Sequence, residues 1–371
     1  MSPIVLVQAG LGAGGVEKVI ARLATHLESL GYVPTILAIN DRPQDAYYAV
    51  PDSVKVRSME AELGLDATNS TARRVAWIRR CIRDARADTV LSFLTKINVQ
   101  TTLACTGLGV KLVLSERNNF RRQVMNPLWR VLMPFAHYCA DHSVMLTKAQ
   151  RDALPAFASR KASVIYNAVE PMGTAPSATP DGHFVAVGRL VEQKGFDILL
   201  RALRIGRDAG ADLRLTIYGQ GEKLSDLQSL ATHLHLEDAV TFAGRTPRPH
   251  DWMANPAVFV LSSRYEGFGN VLVEALAAGF AVISTDCDWG PAEIIEPEKS
   301  GVLVQPDDPK ALADAMLRLY ADPNLRATLA RNGLDRAGDF SEDRIMSQWM
   351  AAIESASSRQ RIRERVGKWA A

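Results

Sequence analysis

Two carboxylates eight positions apart, Glu266 and Glu274, give the clearest chemical signal in this sequence. They lie in Ser263-Arg-Tyr-Glu-Gly-Phe-Gly-Asn-Val-Leu-Val-Glu-Ala-Leu-Ala-Ala-Gly279. This stretch passes from a polar turn into a helix with Val271, Leu272, Ala275 and Leu276 at its apolar positions. Asn270 is the expected N-cap and Gly279 the expected stop. The amides of Phe268, Gly269 and Asn270 then point out of the helix mouth, where the exposed N–H groups favour an anion. Glu274, about one turn inside, can accept two hydrogen bonds from vicinal hydroxyls. Phosphate plus ribose is the ligand that suits this arrangement.

The flanking pattern supplies the elements that must hold it. Val258–Leu261 reads as a buried strand leading into the turn. At the start of the chain, strand Ile4–Val7 runs into Gly10-Leu-Gly-Ala-Gly14-Gly15. A helix with Val16, Val19, Ile20, Leu23, Leu27 and Leu30 on one face follows, and then strand Val33–Ile39. Strand, glycine loop, helix, strand is the opening of a doubly wound α/β domain. Gly10, Gly12 and Gly15 also satisfy G-x-G-x-x-G, with Asp41 near the end of the second strand. An NAD-dependent oxidoreductase is therefore one alternative, although that motif alone is weak. Residues 40–70 show no clear element. Strands at Thr89–Phe93 and Lys111–Leu114 follow, the second running into the polar cluster Ser115-Glu116-Arg117-Asn118-Asn119. The carboxyl end of a parallel strand is where α/β proteins bind ligands.

With 371 residues the chain suits two domains. The first is expected over 1–170, a Pro/Gly/Ser/Thr-rich linker over 171–183, and a second strand–helix alternation over 184–350. A basic helix over 351–371 is expected last, lying along the first domain or the membrane. The fold class is α/β, two Rossmann-like domains facing each other across a cleft. No apolar run reaches the roughly 18–20 residues of a membrane span. Ile4–Val7 lacks a preceding basic region and reads as a strand, not a signal peptide. Four scattered cysteines without a C-x-x-C suit a reduced, cytoplasmic protein and no structural zinc. Residues 1–170 carry 21 Lys/Arg against 14 Asp/Glu, so the overall charge of +2 hides a basic first half. Between Phe120 and Tyr138, arginines alternate with large apolar side chains, a composition that suits peripheral contact with an anionic membrane. No nucleic-acid partner is expected.

Three further segments carry a family likeness: Phe184-Val-Ala-Val-Gly-Arg-Leu-Val-Glu-Gln-Lys-Gly-Phe-Asp, Ile217-Tyr-Gly-Gln-Gly-Glu, and Glu266-Gly-Phe-Gly-Asn-Val-Leu-Val-Glu274-Ala-Leu-Ala-Ala-Gly. In this order they resemble the retaining glycosyltransferases of family 4, which have the two-domain GT-B fold. Gly14-Gly15-Val-Glu17 and Ile165-Tyr-Asn167-Ala-Val resemble that family as well. The resemblance implies that Arg189 and Lys194 neutralise the donor diphosphate and that Glu266 lies near the donor sugar. It makes Glu274 the ribose ligand, with Phe268, Gly269, Asn270 and Val271 lining the donor and Gly14 and Gly15 closing over it. Glu116, Arg117 and Asn118 fall on the acceptor side, where many relatives carry a histidine.

The same resemblance implies no metal and no cofactor beyond a nucleotide-sugar co-substrate, so Asp286-Cys287-Asp288 reads as a strand-end loop. The seven histidines, His137 and His250 among them, have no matching context and read as structural or exposed. The implied activity is transfer of a hexose or N-acetylhexosamine from a UDP-sugar to a glycan, often lipid-linked. The setting is cell-surface polysaccharide, lipopolysaccharide or glycoprotein-glycan assembly at the inner face of the cytoplasmic membrane. An epimerase or phosphorylase of the same fold is the nearer alternative.

Overall fold

Short apolar runs alternate with amphipathic helices along the chain, and in the computed structural model these runs pair as parallel strands. The structure describes residues 2–122, 126–170, 172, 182–246, 248, 250–254 and 258–355. Most of the expected linker and the basic tail from Ser358 to Lys368 lie outside them. The chain divides into two compact units, one formed by Met1–Asn167 with the segment from Asp343 onward, the other by Ala168–Glu342.

In the first unit the described strands are β1 (Pro3–Gln8), β2 (Val33–Ala38), β3 (Lys55–Ser58), β4 (Thr89–Phe93), β5 (Lys111–Glu116), β6 (His142–Met145) and β7 (Ala162–Val164). They form one parallel sheet in the order β3-β2-β1-β4-β5-β6-β7. Val5, Val7, Val90, Leu112 and Leu114 pack against Trp77, Ile78, Ile82 and Ile97 from the helices Thr71–Asp84 and Thr95–Cys105. The edge strand β3 lies in the stretch where the sequence showed no clear element. Its sequence, Lys-Val-Arg-Ser, has two charges and only one aliphatic residue, so it offers no apolar run to detect.

The helix Glu342–Ser355 belongs to this first unit from Asp343 on, eight residues before the expected return at 351. Ile345, Met346 and Trp349 are buried there, and the Trp349 ring lies 5.7 Å from that of Phe93.

The second unit has β8 (His183–Val187), β9 (Arg214–Tyr218), β10 (Val240–Gly244), β11 (Val258–Leu261), β12 (Val282–Thr285) and β13 (Val302–Val304). These pair in parallel in the order β10-β9-β8-β11-β12-β13. Its core joins Phe184, Leu215 and Val260 to Leu199 and Leu203 of helix Phe196–Asp208 and to Leu312, Met316 and Leu319 of helix Pro309–Ala321. The strand order reverses between β8 and β11. Loops leaving the carboxyl ends of those two strands diverge, and α/β sheets bind ligands at that opening.

Candidate active site

The two loops at this reversal carry the main candidates. After β8 the chain runs through Gly188 to Gly195, and after β11 through Ser262 to Gly269. The Lys194 ammonium meets Glu266 Oε1 at 2.6 Å, and the Ser263 hydroxyl donates to the same oxygen at 2.7 Å. Both side chains of the pair are largely buried. The loops are locked by contacts that only glycine permits. Gly195 has φ +60, and a Cβ there would lie 2.1 Å from the Ser262 carbonyl oxygen. On the far side of Glu266, its amide donates to the Asp288 carbonyl at 3.1 Å. Asp286 and Asp288 are exposed, and among the described residues no three His, Cys, Asp or Glu side chains cluster as a metal would need. Cys287 is buried between them, which pushes its thiol up to about 12.

Arg189, in the same loop as Lys194, is exposed, with its neighbour Leu190 anchored in the core and bonded through its amide to the Gln220 carbonyl. Its carbonyl accepts from the Val191 amide at 2.9 Å, while its guanidinium makes no hydrogen bond or ion pair among the described residues. Arg264, by contrast, is committed to structure. It grips Asp197 with two hydrogen bonds of 2.9 and 2.8 Å and Asp307 with a third of 2.7 Å. Burial is the largest single influence on Asp197 and would raise its pKa, but the Arg264 hydrogen bonds and charge together with backbone amides hold the carboxyl below its usual range. Arg264 and Asp197 line a cavity of about 400 Å³ that shares no lining residue with Lys194, Glu266 or Glu274.

The helix after Gly269 spans Asn270–Ala277, which corrects the expected cap. Gly269, at φ +104, is the cap residue and Asn270 is the first helical residue, because a left-handed turn brings the chain in. The Phe268 ring is buried and meets Phe340 edge-on at 5.9 Å, so only its backbone can serve a ligand at the mouth. Gly290 presses on that backbone: a Cβ there would lie 1.9 Å from the Phe268 carbonyl oxygen. Asn270 is exposed and Val271 half-buried. Glu274 lies one turn in, and His250 Nε2 approaches its Oε1 at 4.0 Å. Neither Ser263 nor His250 stood out in the sequence. A serine three residues before a glutamate is common, and His250 comes from a distant turn.

The remaining candidates belong to the first unit. Gly14 caps the helix Gly15–Ser29, and Glu17 folds over it, with Oε2 2.1 Å from where a Cβ would lie. Burial above all, with the charge of Asp41, raises the Glu17 pKa against a backbone hydrogen bond. Asp41 itself accepts from the Leu11 amide at 2.7 Å and lies where a Gly10 side chain would go. The carboxylate that an NAD site would use for ribose is thus spent on pinning the glycine loop.

Glu116 and Arg117 are both buried. Glu116 accepts from Thr95 Oγ1 and Asn98 Nδ2, each at 2.8 Å, and faces His137 Nε2 at 3.3 Å. Arg117 reaches Ser115 Oγ at 2.9 Å and the Ile165 carbonyl at 2.8 Å, with its guanidinium 4.9 Å from the centre of the Trp349 ring. Burial pushes this guanidinium down to about 9. Asn118 alone of the three is exposed.

Known proteins match both halves of the chain. Residues 13–172 match the family described as Glycosyltransferase Family 4, and residues 173–336 match Glycosyl transferases group 1. The chain is 27% identical over 357 residues to the N-acetylgalactosamine-N,N'-diacetylbacillosaminyl-diphospho-undecaprenol 4-alpha-N-acetylgalactosaminyltransferase of Campylobacter jejuni, covering 90% of this chain and 94% of that protein. It is 34% identical over 200 residues to an uncharacterized glycosyltransferase of Methanocaldococcus jannaschii, a match spanning 46% of this chain and about half (49%) of that relative. The solved structure of Anabaena HepE in complex with UDP superposes with a TM-score of 0.81 at 19% identity, over 96% of this chain and all of that one (100%). Matched in order through both halves and built of two parallel-sheet α/β units, the chain belongs to the family 4 glycosyltransferases of GT-B fold.

Proposed function

We propose that this glycosyltransferase moves a hexose or N-acetylhexosamine from a UDP-sugar to a lipid-linked glycan, with retention of anomeric configuration and without a metal. It would work at the inner face of the cytoplasmic membrane in cell-surface polysaccharide or lipopolysaccharide assembly. The observation that carries the reading is the Lys194–Glu266 pair at the β8/β11 reversal, with exposed Arg189 in the same loop as Lys194 and Glu274 one turn into the helix that follows the Glu266 loop. Arg189 suits bidentate contact with a diphosphate and Lys194 a point contact. Their stabilisation grows as the glycosidic bond breaks and charge gathers on the leaving phosphate. The acceptor hydroxyl attacks from the face that the diphosphate leaves, and its proton passes to a phosphate oxygen. Glu266 then orients the sugar and Glu274 the ribose hydroxyls. The lipid-linked acceptor is supported by the substrate in the name of the Campylobacter relative, and the uridine base by the UDP held in HepE.

A panel of UDP- and GDP-sugars scored by thermal stabilisation, followed by NMR of the product anomer in the presence of EDTA, tests this. Stabilisation by UDP-sugars and an axial product from an axial donor are expected. An inverted product, loss of turnover in EDTA, or donor conversion without an acceptor would replace the reading. The last of these would point to an epimerase.

A further inference from the structure

One helix of the first unit is apolar on two sides, and the core uses only one. In Pro127–Cys139, Met133 and Ala136 are buried, with Trp129 and Leu132 packed inward beside them. The opposite side exposes Leu128, Val131, Phe135 and Tyr138 at 57%, 58%, 53% and 39%. Their spacing places them in one stripe. The short helix Ala156–Ser159 widens it: Phe157 is 44% exposed, with its ring 5.8 Å from Phe135 and 5.9 Å from Tyr138. A single exposed leucine is ordinary, whereas a contiguous stripe with three touching aromatic rings marks an interaction surface.

Charge narrows the choice of partner. From Arg117 to Ala140 the sequence contains no Asp or Glu, while Arg121, Arg122 and Arg130 are exposed there and Arg160 is exposed after Phe157. The arginine-rich helix Thr71–Asp84 is a poorer candidate, because no large apolar side chain is exposed on it. A second copy of this chain suits the stripe less well. Two-fold pairing would set its arginines against one another with no carboxylate in the segment to receive them.

We propose that this stripe seats the protein on an anionic phospholipid bilayer. Leu128, Val131, Phe135, Tyr138 and Phe157 enter the boundary between headgroups and acyl chains, and the arginines meet lipid phosphates. The proposal rests on the membrane-bound acceptor argued above and names the surface that reaches it.

Co-sedimentation of the full chain at low salt, with phosphatidylcholine vesicles with or without phosphatidylglycerol, tests the assignment. Binding is expected only with the anionic lipid. The Val131→Ser, Phe135→Ser double variant should bind about tenfold more weakly or worse, and Arg130→Glu should weaken binding as well. Leu65→Ser, at a 62% exposed leucine elsewhere in the unit, should leave it unchanged. Equal binding by the double variant overturns the proposal. So does a lipid-free dimer that the double variant dissolves, because the stripe would then belong to a second copy. Stabilisation by UDP, measured in the same variants, separates the two readings. Its absence from the unmodified protein counts against the donor assignment alone, and its persistence in the variants confirms that their fold is intact.

Discussion

The Lys194 ammonium and the Glu266 carboxylate, 2.6 Å apart, come from loops on neighbouring strands and share their contact with the Ser263 hydroxyl. A lysine that already has a carboxylate partner is held in place before a diphosphate arrives, so little ordering is left to the binding step. Removing one partner leaves the other charge largely buried without compensation. Lys194→Ala and Glu266→Gln should each slow transfer by about a hundredfold or more. In urea unfolding, Lys194→Ala should cost about 3 kcal/mol, and adding Glu266→Gln should restore over half of that. Additive losses in the double variant would mean that the contact carries no coupling energy.

The placement of that lysine depends on Gly195. Its φ of +60 and the Ser262 carbonyl oxygen 2.1 Å from a would-be Cβ leave no room for a side chain. Gly195→Ala should therefore destabilise by about 2–4 kcal/mol and displace the Lys194 loop, slowing transfer nearly as much as Lys194→Ala. Gly210→Ala is the control: φ is +90 there, but nothing lies within 4 Å. It should cost about 1 kcal/mol and leave turnover unchanged. Comparing turnover of the two variants at saturating donor checks this.

Periodicity made most of the scaffold legible, because buried parallel strands such as Val258–Leu261 are short apolar runs bounded by polar loops. The edge strand Lys55–Ser58 was not, since one side of it meets solvent and charge replaces the apolar signal. The spacing of Glu266 and Glu274 marked the region proposed for the donor, but spacing within one loop cannot reveal a partner on another. Lys194 and Glu266 are 72 positions apart, and only the β8/β11 adjacency joins them. Glu116 and Arg117 show a second limit, since their burial is not legible in the sequence. A charged pair at a strand end looks like a site, and here Thr95, Asn98 and His137 bury the carboxylate while Trp349 covers the guanidinium.

Trp349 brings the last described helix onto the first unit through Phe93 and Arg117, at 5.7 and 4.9 Å. The ring is fully buried, so Trp349→Ala should leave a cavity and destabilise by about 4 kcal/mol. Trp349→Phe keeps an aromatic face over the guanidinium and removes an indole N–H that has no acceptor among the described residues. It should recover most of the loss. Chemical unfolding of the two variants measures the difference.

Acid sensitivity should trace in part to Glu62. Its carboxylate accepts from Arg57 at 2.7 and 2.9 Å and from the Trp77 indole at 2.9 Å. The Arg57 hydrogen bond, opposed by burial and aided by Trp77 and Arg80, pulls the pKa down to about 2 from an ordinary 4.5. The unfolded chain binds the proton first as pH falls, so this contribution is complete above 4.5 and fades on the way down to 2. Glu62→Gln never has it. Melting temperature should therefore fall more steeply with acid in the unmodified protein than in the variant across that window. Parallel curves would remove Glu62 from the account.

Glu274 offers the sharpest test of the donor assignment, because a ribose contact can be deleted from either side. If its carboxylate accepts from vicinal hydroxyls, Glu274→Ala should weaken UDP binding by about a hundredfold while leaving the helix Asn270–Ala277 folded. A 2'-deoxyuridine donor lacks one of those hydroxyls. The unmodified enzyme should discriminate against it by about tenfold or more, and the variant should hardly distinguish it from the ribose form. His250, 4.0 Å from the same carboxylate, adds a second arm to the cycle. Changed to Ala, it should alter donor affinity only while Glu274 is present, since its effect on the nucleotide passes through that carboxylate. Undiminished ribose discrimination in Glu274→Ala, by calorimetry or by the ratio of kcat/KM values, would move the nucleotide away from this helix.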